Sequence, residues 1–208
     1  MSSVDFAVVR PLRVAVELVG AGHHPAATAA PGNRAVPENY WVELTDPGVT
    51  EPLDLTSDPA EVVRIRAVDL RDAQQQRTRI RAAAAADGRD PDSITVLVDV
   101  EILVADEARA ARKELAQLDS ALDVARAPLS LQYIGTGSGL AGLISDIQAA
   151  DVADGVTLLP LSLPRVLQNL VEVTLPWLGD RGVQLAQGAA DDALARFGLS
   201  RDRRVLAS

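Results

Sequence analysis

Charged residues inside strand-like segments are the positions whose types and spacing could do chemistry. In Val62–Ala67, Arg64 and Arg66 share one face of an alternating pattern, with Val63, Ile65 and Ala67 on the other. In Ile94–Val104, Asp99 and Glu101 alternate against Val98, Val100 and Ile102. Glu17 stands in the same way against Val14, Val16 and Leu18. Two arginines beside two carboxylates have two uses. They satisfy one another as a charge ladder between neighbouring strands, or they face a ligand. The pattern alone leaves both open.

Two further sets carry possible chemistry. His23 and His24 follow the first strand-like segment, at the strand end where parallel α/β folds bind ligands. A histidine there could orient or protonate a bound cofactor, or be a surface pair with no role. Gly137-Ser-Gly-Leu-Ala-Gly142 matches G-x-G-x-x-G between a short strand and a helix. Such a turn suits phosphate at a helix N-terminus. The preceding strand is short, and no clear acidic partner stands at the end of the next strand, so a plain strand-to-helix turn reads equally well. No nucleophile elbow, Walker loop or Ser/His/Asp constellation is supported by the spacing.

Composition narrows the classes. The chain has 208 residues, a net charge of −9 and 48% hydrophobic residues, which suits one folded domain and argues against nucleic-acid backbones as partners. Aromatics are 3%, so platforms for stacking bases are scarce. There is no cysteine and there are two histidines, which excludes disulfides, thiolate metal sites and multi-histidine metal sites. The first ten residues lack a basic and apolar leader pattern, and no apolar run reaches the ~18–20 residues of a membrane span. A cytoplasmic protein with no membrane partner is the expectation.

The elements that must position these residues are five strands and four helices. The strands are Leu12–Leu18, Val62–Ala67, Ile94–Val104, Leu131–Ile134 and Gly155–Leu159. Leu70–Ala86 reads as an Ala- and Arg-rich surface helix stopped by Gly88 and Pro91. Glu107–Arg126 carries an apolar stripe, with Asp106 placed as its N-cap. Leu140–Ala150 follows the glycine cluster. Leu163–Leu178 has Ser162 as cap, Pro164 in its first turn and Pro176 to kink or end it. Strands alternating with helices imply parallel βαβ units. Gly20–Asp58 departs from this rhythm, with only a short helix expected at Asn39–Thr45.

Several stretches together resemble the luciferase-like flavin-dependent monooxygenases, in their nitrilotriacetate-monooxygenase-like branch. Leu12–Ala27 and Asn39–Leu44 resemble that family's first strand, loop and helix. Ala60–Ala67 resembles a late barrel strand, and Gly88–Val96 the loop into the next one. Tyr133–Thr136 and Asp154–Pro164 resemble the last barrel units; Pro176–Leu178 and Arg196–Leu199 resemble the C-terminal tail. The resemblance covers roughly two-thirds of the chain. It implies a (β/α)₈ barrel using reduced FMN or a deazaflavin.

The departure from the family is at Thr45–Ala60, where its members carry several strand–helix units, including loops that hold the flavin phosphate. The expected fold is therefore α/β: an incomplete TIM-like barrel with a mostly parallel sheet of five or six strands, one domain over residues 1–208, with 20–58 as an irregular arm at an internal deletion. In that frame His23, His24, Arg64, Arg66 and Glu101 are the candidate cofactor-binding residues. No catalytic residue and no metal site is assigned. FMN or a deazaflavin would bind weakly. An open half-core implies a homodimer, or a heterodimer with a full-length luciferase-like protein.

Overall fold

The computed structural model describes residues 10–28, 40–46, 48 and 61–201. Most of the expected arm lies outside the described residues. Six strands form one curled sheet: β1 (Arg13–Leu18), β2 (Tyr40–Glu43), β3 (Val62–Ile65), β4 (Thr95–Ala105), β5 (Leu131–Thr136) and β6 (Gly155–Pro160). Their order is β2-β1-β6-β4-β3, with β5 also paired to β4. All pairings are parallel except β1 with β2. The sheet is the incomplete TIM-like barrel expected from the sequence.

The helix expected at Asn39–Thr45 is instead strand β2. Tyr40, Trp41 and Val42 are β-favouring residues, and they find a ready edge on β1 in antiparallel register, Glu17 opposite Trp41.

β4 is the axis of the sheet. Its Val-, Leu- and Ile-rich run is buried from Val96 to Val104, as a strand covered on both faces must be. One edge carries β6, register Leu97 with Gly155 to Ile102 with Pro160. The other edge is shared: β3 pairs with Thr95–Val98 and β5 with Val100–Ala105. Ser130 sits at that fork. Its hydroxyl accepts from the Ala67 amide (3.0 Å) and donates to the Asp99 carbonyl (2.7 Å), bridging the point where one strand leaves and the next begins.

The α-helices among the described residues are α1 (Leu70–Ala86), α2 (Ala108–Ser120), α3 (Gly137–Ala149), α4 (Arg165–Asn169), α5 (Leu175–Gly179) and α6 (Ala189–Arg196). α1 is capped by Asp69, whose side chain accepts from the Asp72 amide, and ends at Gly88 in a left-handed conformation. The segment expected as one helix from Leu163 is α4, a π-helical turn at Leu170–Thr174, and α5. Ser162 does not cap it: Pro164 stands at the N-cap position with no side-chain bond.

Two more helix ends differ from expectation. Asp106 is not the cap of α2; Glu107 holds that position, and Asp106 accepts from Asn169 Nδ2 at 3.1 Å. α2 stops at Ser120 rather than running to Arg126, because the next residues turn back across the sheet to place Arg126 on Glu101. No helix among the described residues is long and apolar enough to cross a membrane.

Candidate functional site

The register sorts the sheet into two faces. Val14, Val16, Val98, Val100, Ile102, Val156 and Leu158 alternate onto one face and join the apolar core beneath the helices. Ala15, Thr157 and Asp99 lie side by side on the other, and the register continues to Arg66 just past the end of β3. Arg13, Glu17, Glu43, Trp41, Arg64 and Glu101 share that second face. It is polar yet buried: Asp99 is 2% exposed, Glu101 and Thr157 0%. Buried polar groups in a dry sheet need partners, so each one can be accounted for in turn.

Asp99 is the hub. Arg64 grips it in the bidentate fork geometry, Nε to Oδ1 at 2.9 Å and a terminal nitrogen to Oδ2 at 3.0 Å. The same guanidinium reaches Glu17 Oε2 at 2.6 Å and lies 4.9 Å from the Trp41 ring centroid. Arg66 touches Asp99 only at 3.5 Å, and its side chain is 62% exposed. Burial pushes the Asp99 carboxyl above its ordinary value; the Arg64 hydrogen bond and charge oppose that shift without cancelling it. For Arg64, burial works against the charged form, but bonds and charges from Asp99 and Glu17 outweigh it and raise its pKa.

The charge ladder therefore exists, with one change of partner. Glu101 does not pair with Arg66. Its carboxylate is held by Arg126, by the Leu129 amide (3.0 Å) and by Gln132 Nε2 (3.2 Å). The sequence reading placed Arg126 on a helix and so missed it as a partner. A second buried pair, Arg13 with Glu43 at 3.1 Å, closes the β1–β2 end.

The histidines are both engaged. His23 Nε2 lies 3.1 Å from the Glu17 carbonyl. His24 is fully enclosed at its side chain; Nδ1 accepts from the Ala26 amide (3.1 Å), so Nε2 carries the hydrogen given to Asp119 (3.0 Å). The pair fixes the loop after β1 to the end of α2.

Two glycines of the cluster, Gly137 and Gly139, sit in close packing. α3 begins at Gly137, not Leu140, with Thr136 accepting from the Gly139 amide. A Cβ at Gly137 would press on Asn169 and Val173, and one at Gly139 on the Tyr133 hydroxyl. Among the described residues no group of His, Cys, Asp or Glu could hold a metal ion.

Two groups on the polar face stay unpartnered. Thr157 Oγ1 and Trp41 Nε1 are both inaccessible and lack a hydrogen-bond partner. Neither residue had been singled out from sequence, because a lone Thr and a lone Trp carry no motif. Separately, a cleft of about 480 Å³ opens between α2 and α4 at the end of β4, lined by Asp106, Lys113, Glu114, Arg165 and Asn169 among others.

No protein-family model matches the chain, and no curated protein resembles it at a significant level. Solved structures do. A long-chain alkane monooxygenase aligns at TM-score 0.54 and 17% identity, over 68% of this chain and 42% of that one. An EDTA monooxygenase from Chelativorans sp. BNC1 aligns at 0.53 and 20%, over 71% and 46%. A riboflavin lyase, solved with modified FMN and its substrate riboflavin, aligns at 0.52 and 20%, over 62% and 40%. The fold is an incomplete TIM-like barrel. The likeness is one of fold, and the chain spans less than half the length of each of these structures.

Proposed function

We propose that the chain is a shortened luciferase-like protein that retains half of a flavin site on the polar face of its sheet and turns over little or nothing alone. What supports this is the buried polar face itself. A half-barrel meant only to be packed would carry apolar residues there. Instead the face carries Glu17, Arg64, Asp99 and Trp41, with Thr157 and Trp41 holding unpartnered polar atoms. Of the five candidate contacts, Arg64 and Arg66 border this region, whereas Glu101, His23 and His24 are engaged with the chain's own groups. FMN or a deazaflavin is the cofactor this reading implies. Titrating FMN with fluorescence quenching as readout tests it. Micromolar or weaker binding, with no monooxygenase turnover on supplied reduced flavin, is expected; nanomolar binding or a flavin at one per chain would favour an active enzyme with a composite site between two chains.

A second reading has its own support. Val68, Val124 and Leu129 are exposed at 86%, 78% and 54%, and Val68 and Leu129 flank the Ala67–Ser130 hydrogen bond at the β3 end of the sheet. Apolar side chains grouped at a sheet end suit a partner, either a second copy or a full-length luciferase-like chain, for which this protein would be a structural or regulatory subunit. Light scattering at micromolar concentration tests it, and a monodisperse monomer would count against it.

A further inference from the structure

We propose that the cleft between α2 and α4 binds a small zwitterion, one that carries an ammonium and a carboxylate at separate ends. The cleft shares no residue with the polar face of the sheet, so the inference stands apart from the flavin reading. The first observation is the helix wall. The stripe of α2 turned to the cleft is Ala110, Lys113, Glu114 and Gln117, at the i, i+3, i+4, i+7 spacing of one helix face. A stripe that packs against neighbouring elements is normally apolar, as the core stripe of Ala111, Leu115 and Leu118 is. Towards α4 the stripe is polar instead. The exposed methyl of Ala110 leaves room where a longer side chain would close the gap.

The second observation is unpaired charge. Glu107 and Lys113 on the α2 side and Arg165 on the α4 side form no ion pair or side-chain hydrogen bond among the described residues. Charges of both signs line one cleft without meeting each other. With Asp106 and Glu114 included, two cations stand against three carboxylates. A plain anion would be opposed by the carboxylates and a plain organic cation by Lys113 and Arg165. A metal ion does not fit either, since no group of His, Cys, Asp or Glu among the described residues could hold one. A zwitterion answers both signs. The third observation is order. Asn169 Nδ2 donates to Asp106 at 3.1 Å, which holds α4 against the end of β4. Asp106 and Glu107 make that end acidic. Lys113 lies six residues on from Glu107, about 9 Å along the helix axis. Arg165 stands one turn of α4 from Asn169. The two charges of the ligand are therefore separated by a chain rather than carried on one carbon. The cleft, at about 480 Å³, has the size of a small-molecule site.

The test compares 6-aminohexanoate with hexanoate and hexylamine, three probes of one chain length, in NMR titrations of the labelled chain. 6-Aminohexanoate is expected to bind at least about fivefold tighter than either single-charged probe, with amide shifts centred on Ala110 and Lys113. Lys113→Met and Arg165→Met should each weaken it about three- to tenfold and leave hexylamine unaffected. Glu107→Gln should weaken it by a similar factor and leave hexanoate unaffected. Ala110→Trp, which fills the cleft, should abolish binding of all three probes. Thermal melts check that each variant is folded, and Ala110→Leu, a good helix former at an exposed position, replaces the Trp variant if that one is not. Equal affinity for the three probes overturns the inference. So do shifts centred away from α2 and α4, binding untouched by the cleft-filling variant, or no shift with 6-aminohexanoate up to ~10 mM. The flavin reading is unaffected by each of these results, because the two sites have no side chain in common.

Discussion

Two carboxylates organise this molecule, and they are built on opposite principles. Asp154 lies just before β6, at the N-terminal end of the parallel strands. Its Oδ1 accepts from Arg81 at 2.7 Å and Arg77 at 3.1 Å, with Arg10 at 3.5 Å, while Oδ2 takes the Val96 amide at 2.8 Å. The arginines come from outside the sheet, two of them from α1, and their side chains are largely covered. Asp99 lies mid-strand on the polar face, and its arginines come from the β3 side, where Arg66 is open to solvent. The first hub ties a helix to a strand end, with Arg77 Nε and Arg81 Nε buried there without a hydrogen-bond partner. The second stands next to unpartnered Thr157 and within reach of solvent. In parallel barrels the N-terminal end of the strands carries stability, and Asp154 stands at that end, whereas Asp99 lies further along the strands.

That contrast can be broken by substitution. The largest effect is expected at Asp154→Ala, which leaves Arg77 and Arg81 only their contacts to exposed Asp151 (3.4 Å) and Asp92 (3.6 Å) and frees the Val96 amide. Breaking a buried pair of this kind costs about 3–5 kcal/mol. Denaturant melts should show it, and a loss below about 1 kcal/mol would mean that the arginines find water. Next, Arg64→Ala leaves Asp99 buried with only the long contact to Arg66 and removes the cation over Trp41. About 1–3 kcal/mol should be lost, less than at Asp154, because Arg64 is partly solvated. Arg66→Ala is its control and should stay within about 0.5 kcal/mol; equal losses at the two arginines would show that the exposed one shares the hub.

The smallest effect is in pH. The folded-state pKa of Asp99 is raised above the ordinary 3.8. A carboxyl raised in this way contributes stability that is full below its unfolded pKa and lost as pH rises through the folded value. Relative to Asp99→Asn, which does not titrate, the wild-type melting temperature should therefore fall as pH rises upward from about 3.8. A difference flat in pH would place the hub in solvent, and one growing with pH would mean that the Arg64 charge outweighs burial.

Much of this was legible in sequence, for a physical reason in each case. Strands β1, β3, β4 and β6 announce themselves because valine and leucine runs bounded by turns have few other uses. That the arginines after Val63 and the carboxylates of β4 share a face was legible from period-two alternation, but not that Arg64, opposite Leu97 in register, is the one that grips Asp99. Trp41 was misplaced with its segment, since four residues carry too little periodicity to tell strand from helix. Arg126 as the partner of Glu101 was not legible: it depends on where α2 stops, and helix ends are set by contacts that arrive from elsewhere. Why Gly137 and Gly139 are glycines was not legible, because they answer to the side chains of Asn169, Val173 and Tyr133.

The sheet order carries a consequence for how the chain assembles. β3, β4, β5 and β6 follow one another in sequence, so their three pairings close short loops. β1 joins β6 with Arg13 beside Gly155, where a Cβ would run into the Arg13 backbone. That contact spans most of the polypeptide, and closing so long a loop carries the greatest entropic cost of any pairing in the sheet. The amino-terminal strand is thus the slow step of topology. A chain beginning at Glu61 still holds three of the four parallel pairings, and lacks the strand that covers the β6 edge. During synthesis the order is reversed: β1 emerges first and waits, unpaired with its parallel neighbour, until the segment at Gly155 has left the ribosome.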